Sequence, residues 1–468
     1  MNKIKILTAF LFIGSLVLFS GCGCKEDSSK SYQLNLEVWG FLDDRENLND
    51  IFAAYQSLNP HIRHIEYRKL STDTYKQEII DALASGQGPD VFLIHNTWLP
   101  GFRDKIVPAP AGIISEQKFK KEFIDVVAAD FFSDGQAYAV PISVDSLALY
   151  YNKDLFNAAG ITSPPKDWND FVTDVIKLTR VNSFGEITQS GAALGTAYNI
   201  NRSTDILNML MMQGGTDMVD REFKRTTFDT VASVGDNAFS AGENALNFYT
   251  QFARTNSSNY SWNSRLHYSI DAFSEGTLAM MFNYSWHIDT IRNKSPKLNF
   301  TVAAVPQFPG ADPANYANYW AFAVAKNTIP KVDTGLGTNA KPVSNDTRVM
   351  EAWNLLRFMT MKPDKPIVLE NNVVARDQMA GGSFDPAMSY LTKSRRPAAR
   401  RDLIEQQLND PELGVFAKDN LIAKSWYQTN PENFEATFAT MIDDVNRGQS
   451  SVRDAIDVAA MRINQMLK

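Results

Sequence analysis

The chain has 468 residues, 44% hydrophobic and 21% charged, with 46 basic and 53 acidic side chains for a formal net charge of −7. That length exceeds what one hydrophobic core usually organises, so two or more domains are expected, and the ordinary globular composition excludes wholesale disorder. The acidic balance argues against a nucleic-acid partner, whose phosphates need concentrated positive charge; the one basic run, Lys393, Arg395, Arg396, Arg400 and Arg401, reads as a solvated face.

At the N-terminus, Lys3 and Lys5 precede an almost unbroken apolar run over residues 6–19. The run is short for a membrane span of about 20 residues and small residues end it, which is the pattern of a secretory signal. Leu18-Phe19-Ser20-Gly21-Cys22 resembles the lipobox of bacterial lipoproteins, with Phe19 standing where leucine is more usual. The resemblance implies cleavage after residue 21, a diacylglyceryl group on the Cys22 sulfur and anchoring to the outside of the cell membrane. Loss of Lys3 and Lys5 leaves 44 basic against 53 acidic residues, a net of −9. Cys24 is the other cysteine of the chain, and a bridge between the two would close a very small, strained loop. The rest of the chain therefore has neither a disulfide nor a thiolate metal site, and polar residues 25–31 read as a tether.

Residues 34–40 alternate and stop at Gly40, a first strand. Residues 48–55 carry helical spacing, Ile62, Ile65 and Tyr67 mark a second strand, and Thr72 or Asp73 caps a helix with the stripe Tyr75, Ile79, Ile80 and Leu83. Gly86 and Gly88 stop it, and 89–94 is a short, mostly apolar strand. Strand, helix, strand, helix, strand at these lengths predicts a parallel sheet covered by helices. Such sheets bind small ligands beyond the carboxyl ends of their strands. This nominates 40–44, 95–98 and the segment before Val140 by position alone.

Residues 140–144 and 147–152 are two extended runs separated by Asp145 and Ser146. A short helix over 153–159 follows, then a helix from Trp168 with Phe171, Val175, Ile176 and Leu178 on one side. Residues 204–214 form a helix whose Met209, Met211 and Met212 read as core filler. Helical pieces over 244–252 and 269–273, strands over 278–282, 300–305 and 319–325, and loops over 309–318 and 328–346 come next. The final third is mostly helical: 348–360 with Ala352, Leu355, Leu356 and Met359 on one side, then 377–381, 387–391, 400–408, 434–447 and 451–467.

Several segments resemble the family 1 extracellular solute-binding proteins, the sugar receptors of ABC importers to which the maltose-binding protein belongs. They are residues 52–60, 62–67 and 75–92, then Ala139-Val140-Pro141, the run 151–156, Ala159-Gly160-Ile161, Pro165 with Trp168, 273–281 and 320–326. Each is weak alone; their order and spacing over 34–467 carry the resemblance. It implies a periplasmic-binding-protein-like fold of type II, with two α/β lobes, a hinge of crossing segments and a ligand cleft between the lobes. The implied division is 1–21 signal peptide, 22–31 lipidated tether, 32–146 plus 305–362 as the N-terminal lobe and 147–304 plus 363–468 as the C-terminal lobe. The crossings would fall near 145–149, 304–306 and 361–367.

The resemblance also implies a carbohydrate ligand, often an oligosaccharide, an ABC permease as partner, a monomeric extracytoplasmic receptor and no catalysis. A sugar has apolar ring faces for aromatic side chains and an equator of hydroxyls for Asp, Asn and Arg. Trp286, Trp320 and Trp426 with Tyr427 are candidate platforms, each also readable as core. Phe41, Asp43 and Asp44 follow the first strand, and Asn96, Thr97 and Trp98 follow the strand ending at residue 94. Asp145 at the first crossing either faces the ligand or bonds hinge backbone. Asp90 reads as structural, capping local amides. His61, His64, His95, His267 and His287 show no metal-binding spacing, and Gly86-Gln87-Gly88 and Gly214-Gly215 lack the lysine and hydroxyl of a phosphate loop. Neither a metal nor a cofactor is expected. The rival functions are a secreted glycoside hydrolase, which needs two carboxylates flanking the bond, and an adhesive surface lipoprotein without ligand-dependent closure.

Overall fold

The computed structural model describes residues 32–467 apart from 235–236, 334–341, 370–372, 375–378 and 381. The signal segment, Cys22 and the tether lie outside the described residues, as does part of the 328–346 loop.

Strand Val91–His95 is buried from Val91 to Ile94, as its continuous apolar run requires when helices cover both faces of a sheet. It pairs in parallel with Leu34–Gly40, which pairs in parallel with the edge strand Ile62–Lys69. Trp320–Val324 closes the other side antiparallel, setting Trp320 opposite His95. That antiparallel pairing brings the start of one strand to the end of the other, so Trp320 arrives at the carboxyl edge of the sheet. Helix Asn49–Leu58 buries Ile51, Phe52, Ala54 and Tyr55, and helix Tyr75–Ala84 buries Tyr75, Ile79 and Leu83. Thr74 holds the N-cap position of the latter, one or two residues later than expected.

A second sheet has Ala148–Asn152 at its centre, antiparallel to both Met280–Asn283 and Phe300–Ala303. Helix Trp168–Leu178 buries Trp168, Phe171, Val175 and Leu178 against it, but Ile176 is 47% exposed. Ile176 lies five positions after Phe171 and so falls off the face that the three- and four-residue spacings define. Met209, Met211 and Met212 of helix Ser203–Gln213 are buried as core.

The buried apolar side chains form two separate clusters, one around each sheet. Packing changes sides between Val144 and Leu147, between Tyr316 and Ala317, and within helix Leu413–Asp419, whose Phe416 joins the second cluster and Ala417 the first. Two of these positions differ from the division implied by resemblance. Val305, Ala314 and Tyr316 pack with the second cluster. Leu369, Val374, Phe384 and the buried apolar residues from Ala387 to Ile404 pack with the first, because helix Pro386–Ser394 covers helices Asn49–Leu58 and Asn345–Thr360. Side-chain amides tie the crossing segments together: Asn315 Nδ2 donates to Leu147 O at 2.7 Å and Asn420 Nδ2 donates to Val144 O at 2.7 Å. Asp419 accepts from Val305 N at 3.2 Å, and burial pushes its carboxyl up to about 7.

The extended run expected at 140–144 bonds through isolated bridges, Val140 to Phe322 and Ser143 to Ala398. Other expectations need correction. Inside the expected 309–318 loop, Asn315–Tyr316 pairs in parallel with Ala423–Lys424. Within the helix expected at 377–381, Met379–Ala380 pairs instead with Ser383–Phe384, the turn between them carrying Gly382 at φ +81°. The late helix begins at Asn345, capped by Ser344 accepting from Thr347 N. The basic run is not a solvated face. Lys393 pairs with Asp50, Arg395 with Glu412, Arg401 with Asp125, and Arg400, buried, with Asp385 and Asp402. Arg396 lies 3.7 Å from Asp43. Each of these basic side chains has an acidic partner, two residues away for Asp402 and hundreds of residues away for Asp50 and Asp125.

Candidate functional site

A cavity of about 520 Å³ lies where the two clusters meet, within the roughly 300–1,000 Å³ of small-molecule sites. Phe41, Trp98 and Trp320 line it from the first cluster's side, and Trp286, Trp426 and Phe438 from the second's.

The first wall is an aromatic nest built by the sheet's carboxyl edge. Trp320 makes edge contacts with Phe41 at 4.6 Å, Trp98 at 4.9 Å and His95 at 5.1 Å. Such offset and perpendicular arrangements are the preferred aromatic geometries. Tyr75 underlies them, 4.7 Å from Phe41, with its hydroxyl donating to Leu93 O at 2.8 Å. His95 Nδ1 bonds the Thr97 hydroxyl at 2.8 Å and Nε2 bonds Asn318 Oδ1 at 3.1 Å. Burial lowers its pKa to about 4, so the ring is neutral at pH 7.

Asp43 lies behind Phe41, nearly buried. Its carboxylate accepts from the Tyr390 hydroxyl at 2.9 Å and its backbone carbonyl from Tyr67. Arg396 faces Asp43 and also acts electrostatically on Asp145. Asp145 accepts from Ser285 N at 3.0 Å, from the Ser285 hydroxyl and from Ser146 N at 2.9 Å. Burial nevertheless pushes its carboxyl up to about 7. Asp145 thus both lines the cavity and bonds hinge backbone, joining the two readings the sequence left open.

The second wall is carried by the Tyr284-Ser285-Trp286 turn and helix Ser203–Gln213. Trp286 stacks on Tyr284 at 4.7 Å. Tyr150 donates to Tyr284 O at 2.6 Å, and the Tyr284 hydroxyl donates to Asp205 at 2.8 Å. Trp426 stacks on Phe434 at 5.3 Å, and its indole N–H has no partner among the described residues. Arg202, Asp205, Asn208, Tyr316, Gln428 and Glu435 add polar groups. Burial raises the carboxyls of Asp205 and Glu435, and in Glu435 the neighbouring Asp205 adds to the effect. At the rim, Lys76 of the first wall reaches Glu432 of the second at 2.5 Å.

Of the residues nominated from sequence, Phe41, Asp43, Thr97, Trp98, Asp145, Trp286, Trp320 and Trp426 line this cavity. Asp44 does not; it is exposed and pairs with Lys69 at 2.7 Å. Asn96 turns inward, 3.4 Å from the half-buried Asp130. Tyr427 stacks on Phe223 at 4.7 Å, since neighbouring Trp426 and Gln428 take the cavity side of an extended segment. Asp90 lies outside the cavity, accepting from Glu37 N and pairing with buried Arg348 at 2.8 Å. The role is structural, as read from the sequence, but its partners are a distant amide and a buried arginine rather than local amides. The residues missed were chiefly Arg202, Asp205, Asn208 and Arg396. A signal existed for two of them: Asp205 and Asn208 stand three apart on a helix whose other face is methionine and leucine. Among the described residues, no group of three or more His, Cys, Asp or Glu is placed to hold a metal ion.

A family model described as bacterial extracellular solute-binding protein matches residues 42–360. A Brucella abortus (strain 2308) protein, provisionally named as a binding protein, is 23% identical over 323 residues, covering 67% of this chain and 68% of its own. The galactooligosaccharide-binding protein of Bacillus subtilis (strain 168) is 27% identical over 183 residues, 36% of this chain and 41% of its own. Among solved structures, the cyclic alpha-maltosyl-1,6-maltose binding protein of Arthrobacter globiformis superposes with a TM-score of 0.70 at 18% identity, covering 93% of this chain and 99% of that one. The sugar-binding protein of Xanthomonas citri gives a TM-score of 0.68 at 17% identity, covering 92% and 97%. The two structural matches fix the fold: two α/β lobes of the periplasmic-binding-protein type II arrangement.

Proposed function

The chain belongs to the bacterial extracellular solute-binding proteins, and from that membership we propose that it captures a carbohydrate, an oligosaccharide in particular, and delivers it to an ABC-type importer. It is a binding protein and not an enzyme, and it works outside the cytoplasm. The observation that carries the sugar reading is the cavity's lining. Aromatic rings from both clusters, Trp98 and Trp320 against Trp286 and Trp426, alternate with Asp43, Asp205, Arg202 and Arg396. Rings cover the apolar faces of a pyranose, and ionised side chains exchange hydrogen bonds with its hydroxyls more strongly than neutral ones do.

Capture works by population shift. A solute touching both walls favours the conformation in which they are close, and that conformation docks on the permease. Cys22, outside the described residues, carries the lipid that holds this monomeric receptor at the membrane. A Cys22→Ala chain released into the medium would support the anchor, and one that stays with the membrane would remove it.

The test of the sugar reading is a thermal-shift and calorimetric screen of mono- and oligosaccharides. A ligand that binds only the folded state raises the melting temperature. A panel that produces neither a shift nor heat overturns the carbohydrate assignment, and sugar cleavage by the purified protein would replace it with the hydrolase reading.

A further inference from the structure

Arg202 is the N-cap of helix Ser203–Gln213 and sits at φ +65°, ψ +25°. A non-glycine L residue with a long side chain rarely adopts this left-handed conformation, and it persists only when the surroundings over-determine it. Here they do. Asn201 N donates to the Ser269 hydroxyl at 2.9 Å, Ile206 N donates to Arg202 O at 3.0 Å, and the Ser203 hydroxyl donates to Ala197 O at 2.7 Å. The result sets the Arg202 guanidinium 5.6 Å above the Tyr284 ring and 5.6 Å above the Trp286 ring, while the residue lines the cavity. Its Nε is buried and has no hydrogen-bond partner among the described residues. No carboxylate among them stands at ion-pair distance, although Asp205 and Glu435 feel its charge.

We propose that Arg202 is a specificity-determining contact of this receptor: a donor held ready beside the Trp286 platform for an adjacent pair of sugar oxygens, whose hydroxyls in turn donate hydrogen bonds to Asp205 or Glu435. The proposal rests on the reading that the cavity takes a sugar. A strained backbone that sets a guanidinium without an ion-pair partner in the lining of a cavity is explained by what enters the cavity. The planar fork suits two neighbouring oxygens, which an ammonium cannot match as a point charge. The ligand class is neutral: of the five carboxylates in the lining, Asp43 faces Arg396, Glu432 pairs with Lys76 and Asp145 is pushed up to about 7, which leaves Asp205 and Glu435 against Arg202 alone. A uronate would meet that excess of negative charge.

The experiment compares wild type, Arg202→Gly and Arg202→Lys by melting temperature and by calorimetry with maltotriose, mannotriose, galactotriose and glucuronate. Glycine accepts positive φ without strain. The ligand-free Arg202→Gly chain is expected to melt within about 2 °C of wild type, and its affinity for whichever trisaccharide binds wild type to fall at least about tenfold, the scale of a hydrogen bond to a charged group. Arg202→Lys should not restore it. Glucuronate should bind neither chain. Equal affinity in wild type and Arg202→Gly overturns the proposal while leaving the sugar reading in place. A ligand-free melting temperature lowered by more than about 5 °C in Arg202→Gly overturns it in favour of a structural role. Tight glucuronate binding overturns the neutral class. Failure of wild type to bind any of the sugars overturns the underlying reading, and this proposal with it.

Discussion

The Asp145 carboxylate holds Ser285 by two bonds, accepting from its backbone N–H at 3.0 Å and from its hydroxyl. Asp145 stands between Val144, which packs in the first cluster, and Leu147, which packs in the second, and Ser285 immediately precedes Trp286. The crossing segment is therefore bonded directly to the turn that presents an aromatic platform to the cavity. Asn318 N adds a bond from another crossing to Asp145 O at 2.9 Å.

Burial sets Asp145 at about 7 in the folded chain, against a carboxyl near 4 when unfolded. Between those values the native state holds more protons than the unfolded one, so this group's contribution to stability falls as pH rises through the window. His95 and His287, lowered by burial to about 4, act in the opposite sense over part of it. The readable quantity is therefore the difference between Asp145→Asn and wild type. We expect the variant's melting temperature to gain on wild type as pH goes from 5 to 8, by on the order of 1–4 kcal/mol in stability, with sugar affinity reduced at every pH. Parallel melting curves for the two chains across that range would refute it.

The strand-end argument found Phe41, Asp43, Thr97 and Trp98 because the carboxyl edge of a parallel sheet must open onto whatever lies beyond it. It failed for Asp44 and Asn96 because an edge position does not fix which way a side chain turns. Asp44 found Lys69, and Asn96 found Asp130. Arg202 was invisible because its role follows from a backbone conformation imposed by Ser269 and Ile206, neither adjacent in sequence. The basic run misled for a related reason: Arg400 is 2% exposed, and although Asp402 is its near neighbour in sequence, its partner Asp385 and its burial follow only from the folded segment. Sequence periodicity placed most of the helices and strands, since that depends on local spacing alone. The crossings depend on which cluster completes itself with which segment, as helix Pro386–Ser394 does with the first.

Trp426 lines the cavity, and its buried indole N–H lacks a partner among the described residues. Phenylalanine there loses ring area, about 1–2 kcal/mol, and removes an unpaired buried donor that costs about 1–3 kcal/mol. The ligand-free Trp426→Phe chain should melt within about 3 °C of wild type while its sugar affinity drops. Unchanged calorimetric affinity would show that the N–H does not meet the ligand.

Arg400 is nearly buried and bonded to both Asp385 and Asp402. Removing one side of a buried pair leaves charge uncompensated, at about 3–5 kcal/mol. Arg400→Ala should therefore lower the midpoint of urea unfolding strongly, whereas Arg395→Ala, whose side chain is 54% exposed beside Glu412, should shift it little. Equal midpoints for the two variants would contradict the distinction between buried and surface members of the run.

Lys76 Nζ lies 2.5 Å from Glu432 and 5.0 Å over the Trp98 ring. Glu432 lines the cavity on helix Pro431–Asn446, and Lys76 of helix Tyr75–Ala84 lies over the lining Trp98, so the pair joins the two sides of the cavity. Its members are 38% and 57% exposed, which limits it to about 0.2–1 kcal/mol in salt-sensitive form. If closure by the two walls retains the solute, breaking the pair acts chiefly on release. Lys76→Ala should raise the sugar dissociation rate two- to five-fold, about 0.4–1 kcal/mol, with association changed less. It should also flatten the dependence of affinity on salt. The charge-exchanged double variant Lys76→Glu with Glu432→Lys separates attraction across the mouth from the individual roles of Glu432 and Trp98. Recovery of slow release in the double variant supports the bridge between walls. Release as fast as in Lys76→Ala assigns the effect to the cation over Trp98 or to the acid in the lining, and leaves the mouth closed by packing alone.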